Sequence, residues 1–205
     1  MTTHQPGTNE SVFKRILWLY GLFTLVANAA YLFGYYLLPE GFMRGSPVTT
    51  GGNLIANAGT FWSEFSFTFL WNLGSVMVGG VLLNLIRVKG FSLGYLWYLG
   101  QAVITHLVSG TNSFVASDLK QFNAWDGMAI GLSIGGIETL SFALILASTV
   151  SFGIIQYQNW WQWKPTNVMN LREVRLSRAE LLCLIGGILM LAIAAYRETA
   201  MRYSM

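Results

Sequence analysis

The sequence predicts an all-α membrane protein: one domain, residues 1–205, built as a polytopic bundle of about five transmembrane helices. Three observations lead there. Hydrophobic residues make up 54% of the chain and charged residues only 10%. A soluble domain carries about a quarter charged residues, so this apolar surface is more than a water-facing fold can hide. Apolar runs recur at the length of a bilayer crossing, about 20 residues. The basic residues are shared unevenly among the segments joining those runs, an asymmetry that orients membrane chains.

The tail 1–14 is polar and expected to be cytoplasmic. "MTTHQPGTNESVFKR" is polar for too long to be a signal peptide, and no small-residue cleavage site follows the next apolar run, so the first span is expected to be retained. That span covers 16–38 and stops at Pro39, which cannot continue a helix. The second covers 65–86, with "FWSEFSF" before it interfacial in character. The third covers 91–109 and the fourth 128–155. The fourth is long enough for two pieces, and Gly131, Gly135 and Gly136 weaken its first half as helix. A broken or re-entrant entry before Ile137 and a single tilted helix both fit. The fifth covers 181–196 and is short, although Arg197 and Arg202 can snorkel.

With the N-terminus inside, the inner segments hold Lys14, Arg15, Arg87, Lys89, Lys164, Arg172, Arg175 and Arg178, and the outer ones hold Arg44, Lys120, Arg197 and Arg202. This predicts N-in and C-out. Trp160, Trp161 and Trp163 then mark the inner interface. In the basic cytoplasmic loop 156–180, Leu171, Val174 and Leu176 alternate with Arg172, Arg175 and Arg178, which predicts a short basic helix lying on the lipid surface. Ser177 and Glu180 have the spacing of a capping box for the last span.

Small residues spaced by four, Ser75/Gly79, Gly90/Gly94 and Gly131/Gly135, predict close helix packing, within the chain or against a partner; Gly136 adjoins the last pair. Asn28, Asn72 and Asn84 lie in or beside apolar spans and are expected to bond across helices. His106 has an imidazole that could ligate a haem or chlorin, but a lone histidine is more simply a hydrogen-bonding group. No other cofactor is implied, and lipids are the expected small-molecule contacts. The single cysteine, Cys183, excludes an intramolecular disulfide. A net charge of +3 without a basic stripe argues against nucleic acid. There is no zinc pair, phosphate loop or nucleophile with a base, so an enzyme is not expected.

Glu138, in "GGIETLSFALILAS", is the exception to the apolar rule. A carboxylate at mid-span costs about 2.5–3.5 kcal/mol on insertion scales, so it should not face lipid. It is expected either to join helices by hydrogen bonding or to carry protons or ions.

From the second span onward the chain resembles the stage II sporulation protein M family of integral membrane proteins. The resemblance rests on Asn72 and Gly79 in "FLWNLGSVMVGG", Gly90 and Gly94 in "VKGFSLGY", Gly135 and Glu138 in "SIGGIETLSFALILAS", and Glu198 in "AIAAYRETA", in the same order over about residues 65–200. It departs at Ser133 and Ile134, where the family carries Pro and His. The resemblance implies a scaffold of the kind that works with a cell-wall hydrolase, in a bacterial or archaeal cell membrane, and transfers no catalytic role. The expected function is therefore a non-enzymatic subunit that packs against other membrane proteins in a larger complex. The apolar, glycine-rich outer loop "FMRGSPVTTGGNLIANAGTFW" suits such burial. The alternatives are a transport component with Glu138 on an ion path and a pigment- or haem-bearing subunit using His106.

Overall fold

The computed structural model describes residues 11–56, 58–114 and 123–203. Within them lie six α-helices: α1 Val12–Leu37, α2 Pro47–Ala56, α3 Phe61–Ser75, α4 Leu93–Gly110, α5 Ala124–Thr149 and α6 Arg178–Tyr203. Four helical stretches are long and apolar enough to cross a membrane: α1, α3 with its continuation to Leu85, Gly135–Phe152, and α6. α4 adds 18 residues, about 27 Å at 1.5 Å per residue.

Each helix starts where the sequence offers a cap. Ser11 accepts from the Lys14 amide, Thr60 from Ser63 and Asn123 from Asp126. In α1 the buried stripe runs Ile16, Leu19, Phe23, Ala27 and Tyr31, while Leu17, Trp18, Leu25 and Phe33 are exposed on other faces. A helix apolar on every face is solvated by lipid.

The long helices alternate in direction. Phe23 of α1 stacks on Tyr98 of α4 with ring centroids 4.5 Å apart, and Gly34 faces Leu107 and Gly110, so α1 and α4 run parallel. Gly127 of α5 meets Tyr31, and Gly136 lies near Tyr20, so α5 runs opposite to α1. Gly187 of α6 packs on Ser141, and Arg197 reaches the Ser133 carbonyl, so α6 runs opposite to α5. Glu64 near the start of α3 pairs with Arg202 near the end of α6.

At one end the chain forms a small sheet, order β2-β1-β3-β4, absent from the all-α expectation. Its strands are β1 Ile86–Val88, β2 Phe91–Ser92, β3 Ile155–Tyr157 and β4 Thr166–Asn167. β1 and β2 pair antiparallel (Arg87 with Ser92), β1 and β3 parallel (Arg87 with Gln156), and β3 and β4 antiparallel (Ile155 with Asn167). The β1–β2 turn is Lys89-Gly90, with φ 52° and 81°, the positive pair that a two-residue hairpin requires. Gly90 is thus a turn residue rather than a packing one.

Four other expectations are resolved or revised. α5 runs unbroken through Gly131, Gly135 and Gly136, with no re-entrant entry before Ile137; opening the helix would strand backbone groups where no water reaches them. The fourth span ends sooner than 155, at Thr149 and a 3-10 turn Val150–Phe152, because the chain turns into β3. α6 continues past 196 to Tyr203, its added polar turns held by the contacts of Arg197 and Arg202. In place of a basic surface helix there is one 3-10 turn, Leu171–Glu173. The Asn170 side chain and amide bond the Glu173 carboxylate and hold it below the usual carboxylate range. That local closure competes with helix nucleation, which is costly for so short a segment.

The core sits toward the sheet end, around the second half of α5. Ile145, Leu146, Tyr98, Leu191 and Val76 are all fully buried there.

Candidate functional site

The site lies where α3, α5 and α6 bring Glu64, Glu138 and Glu198 into a series, in the half of the bundle away from the sheet. Glu138 sits 14 residues into α5, about 21 Å along the helix, and is half-buried. Its carboxylate makes no hydrogen bond or ion pair among the described residues. The nearby hydroxyls are committed to their own helix: Thr139 donates to Gly136 O and Ser141 to Ile137 O. Glu198 of α6 is exposed and likewise unpaired among the described residues. Glu64 of α3 is 5% exposed and pairs with Arg202 at 3.0 Å.

These three carboxylates form a series. Glu138 interacts charge to charge with Glu198, and Glu198 with Glu64. Helix side chains lean toward their helix N-terminus. Because α5 and α6 are antiparallel, Glu138 leans away from the sheet end and Glu198 leans toward it, so the two converge. Among the described residues, Arg202 is the cation paired with a member of the series, Glu64. Glu138 and Glu198 together therefore call for protons, a cation or outside donors.

Gly131, Gly135 and Glu138 lie at i, i+4 and i+7, on one face of α5. A Cβ added at Gly131 or Gly135 would meet nothing within 4 Å. Among the described residues both glycines thus face open space rather than a contact. Gly136 has only the Tyr20 hydroxyl at 3.6 Å. Elsewhere small residues do pack: Gly79 against Trp97, Gly94 against Asn84 and Gly80 O, and Gly187 against Ile145.

The asparagines take three different roles. Asn84 is fully buried; it donates to Leu146 O at 2.9 Å and Thr149 Oγ1 at 2.7 Å, and accepts from Ser92 Oγ. It ties the end of the α3 segment, the start of α4 and the end of α5 together. Asn28 donates to Thr24 O in its own helix at 2.8 Å rather than to another helix. Asn72 is half-buried, its side chain unbonded among the described residues. Where the fold brings a carbonyl and a hydroxyl to the amide it bonds across helices; otherwise the local carbonyl four residues back is nearer.

His106 is half-buried on α4, its Nδ1 3.1 Å from Thr105 Oγ1 and its ring edge-on to Phe23 at 5.8 Å. No group of three His, Cys, Asp or Glu is arranged for a metal among the described residues. Arg172, Arg175 and Arg178 are exposed at the sheet end. The loop joining β3 to β4 carries Trp161 and Trp163, 89% and 96% exposed.

Sequence reasoning missed Glu198 as a neighbour of Glu138, and Glu64 as a neighbour of Glu198. The available signal was Glu198 with Arg202 at i, i+4 beyond the expected end of the last span. It also missed Arg15 and Arg87 as buried groups. Ser177 and Glu180 do form the capping box, with the Glu180 amide 3.2 Å from Ser177 Oγ and the Ser177 amide 2.9 Å from the Glu180 carboxylate. Comparisons with protein-family models, curated proteins and solved structures find no match for this chain.

Proposed function

We propose that the chain is a non-enzymatic subunit of a larger membrane assembly, and that a partner membrane protein covers the α5–α6 site. One observation carries this: Glu138 and Glu198, without hydrogen-bond or ion-pair partners among the described residues, stand beside an α5 face bared by Gly131 and Gly135. Left to lipid, such carboxylates are costly, whereas a packed helix with donors satisfies them and fills the bare face. The order of short motifs resembling the stage II sporulation protein M family supports a scaffold role. In this proposal α4 is a fifth span and the sheet end is cytoplasmic, in keeping with the surplus of basic residues there.

A photo-crosslinking residue at Leu132, 46% exposed beside the bare glycines, tests the proposal against one at Leu17, 74% exposed on the far side of α1. In native membranes, Leu132 should give a discrete protein adduct and Leu17 lipid adducts only. Lipid adducts alone at both positions would overturn it. Reporter fusions after Ser92 and Lys164 should read cytoplasmic and one near Thr49 external; two inversions would sink the five-span arrangement.

A transport role has one observation in its favour, the carboxylate series from Glu64 through Glu198 to Glu138. Against it, Ile145, Leu146, Ala147 and Leu191 fill the half of the bundle beyond Glu138, and a conduit needs polar groups across both halves.

A further inference from the structure

The loop joining β3 to β4, "QNWWQWKP" over 158–165, is built with a polar side chain turned inward and its indoles turned outward. Gln162 closes it. Its Oε1 accepts from the Gln158 amide at 2.5 Å, its Nε2 donates to the Lys164 carbonyl, and its own amide donates to Asn159 O at 3.2 Å. The strands on either side are fixed by the pairing of Ile155 with Asn167 and of Gln156 with Thr166. Trp160, Trp161 and Trp163 are left on the outside. Trp161 and Trp163 are more exposed than any other large apolar side chain among the described residues. Large apolar side chains held out together in this way mark an interaction surface.

Depth and charge identify what lies against it. The sheet has no stalk: β1 follows the apolar stretch that ends at Leu85 without a break, and β2 runs straight into α4 at Leu93. Lys89 of the β1–β2 turn donates its amide to Tyr157 O at 2.9 Å, at the foot of the loop. The loop therefore leaves the sheet close to the level where the apolar helices end, which in a bilayer is the headgroup region. Exposed cations share this end: Lys89, Lys164, Arg172, Arg175 and Arg178. The acids of the stretch 156–180 are already bonded, Glu173 to Asn170 and Glu180 to Arg15 and Ser177. We propose that the loop is an anchor on an anionic leaflet, its indoles seated among the headgroups and the cations facing lipid phosphates. An indole suits that layer because its ring is apolar while its N–H still finds an acceptor. Each nearby cation adds attraction to anionic lipid. The anchor rests on the membrane-spanning reading of the helices and is independent of any partner at Glu138.

The test uses the full chain, carrying fluorotryptophan in place of tryptophan, in nanodiscs of phosphatidylcholine with or without phosphatidylglycerol. Fluorine NMR signals are assigned with Trp18→Phe, Trp161→Phe and Trp163→Phe. Phospholipids carrying a nitroxide near the headgroup or along the acyl chain report contact with lipid, and a water-soluble gadolinium chelate reports contact with water. The Trp161 and Trp163 signals should be broadened several times more by the headgroup nitroxide than by the chelate, and more so with phosphatidylglycerol present. Lys164→Gln combined with Arg172→Gln, Arg175→Gln and Arg178→Gln should remove the phosphatidylglycerol increment. Trp18, exposed on α1, is the internal reference for lipid contact. If the nitroxides broaden Trp18 but only the chelate broadens the loop indoles, the loop stands in water and is no anchor. If neither agent reaches the loop indoles, protein covers them, and the anchor is equally refuted. A Trp18 signal untouched by either nitroxide would overturn the spanning reading of α1 and the anchor with it. Equal broadening in both lipid mixtures would refute the role of the cations.

Discussion

The two ends of α5 are made of similar residues and meet different fates. From Ser141 to Ser148 the helix is enclosed, with Ser141, Ala143, Ile145, Leu146, Ala147 and Ser148 all at 0% exposure. Asn84 binds its Leu146 carbonyl, and Gly187 lets α6 approach Ser141. Toward its N-terminus the same helix has bare glycines, an unpaired Glu138 and exposed Leu132 and Trp125. The acids repeat the contrast. Glu180 is buried and bonded to Arg15 and Ser177, whereas Glu138 has no hydrogen bond or ion pair among the described residues. A polar group inside a membrane helix is therefore not by itself a sign of function; a polar group left unfinished beside an open face is.

The largest expected difference between the two regions lies in the acids. Glu180→Ala strands a buried guanidinium and should destabilise the chain by about 3–5 kcal/mol, the range for breaking a buried pair. Glu138→Leu should leave the isolated chain's stability within about 1 kcal/mol of wild type, because it orphans no group among the described residues, yet should abolish the protein adduct at Leu132. Equal losses of stability from both would erase the contrast.

A smaller effect separates the glycines. Gly187→Ala puts a methyl 2.9 Å from Ile145 and 3.1 Å from the Ser141 carbonyl, and should cost about 1–3 kcal/mol by overpacking. Gly135→Ala meets open space and should be neutral or stabilising by up to about 1 kcal/mol, the helix-propensity gain, while weakening assembly. Thermal unfolding of the purified variants in one detergent gives both numbers.

The smallest concerns Arg202, whose side chain is 47% exposed in its pair with Glu64. Arg202→Gln should cost about 1 kcal/mol or less, as for exposed ion pairs. A loss several times larger would mean that the carboxylate series depends on this cation far more than its exposure indicates.

Much of the architecture could be read directly. Apolar run lengths locate α1, the α3 segment, α4, α5 and α6, because bilayer thickness sets a length that needs no knowledge of neighbours. The Ser177–Glu180 box could be read because a cap is a contact across three residues. The sheet could not: its strands are two or three residues long, and β1 joins β3 across 69 positions (Ile86 with Ile155). Short strands carry too little period-two pattern to register. Nor could the carboxylate series be read, since Glu64, Glu138 and Glu198 sit on three helices and only their antiparallel packing brings them together.

Composition and run length, properties of the chain taken locally, determined by themselves that this is a helical protein whose long helices are apolar enough to cross a membrane. Tertiary structure alone decided which polar residues are finished inside the chain. Asn84 finds Leu146 at a separation of 62 residues, and Arg15 finds Glu180 at 165, while Glu138 finds no such partner among the described residues. Hydropathy acts on each segment separately, so it is legible in order along the chain; a hydrogen bond needs a second atom at about 3 Å, and only folding brings that atom there.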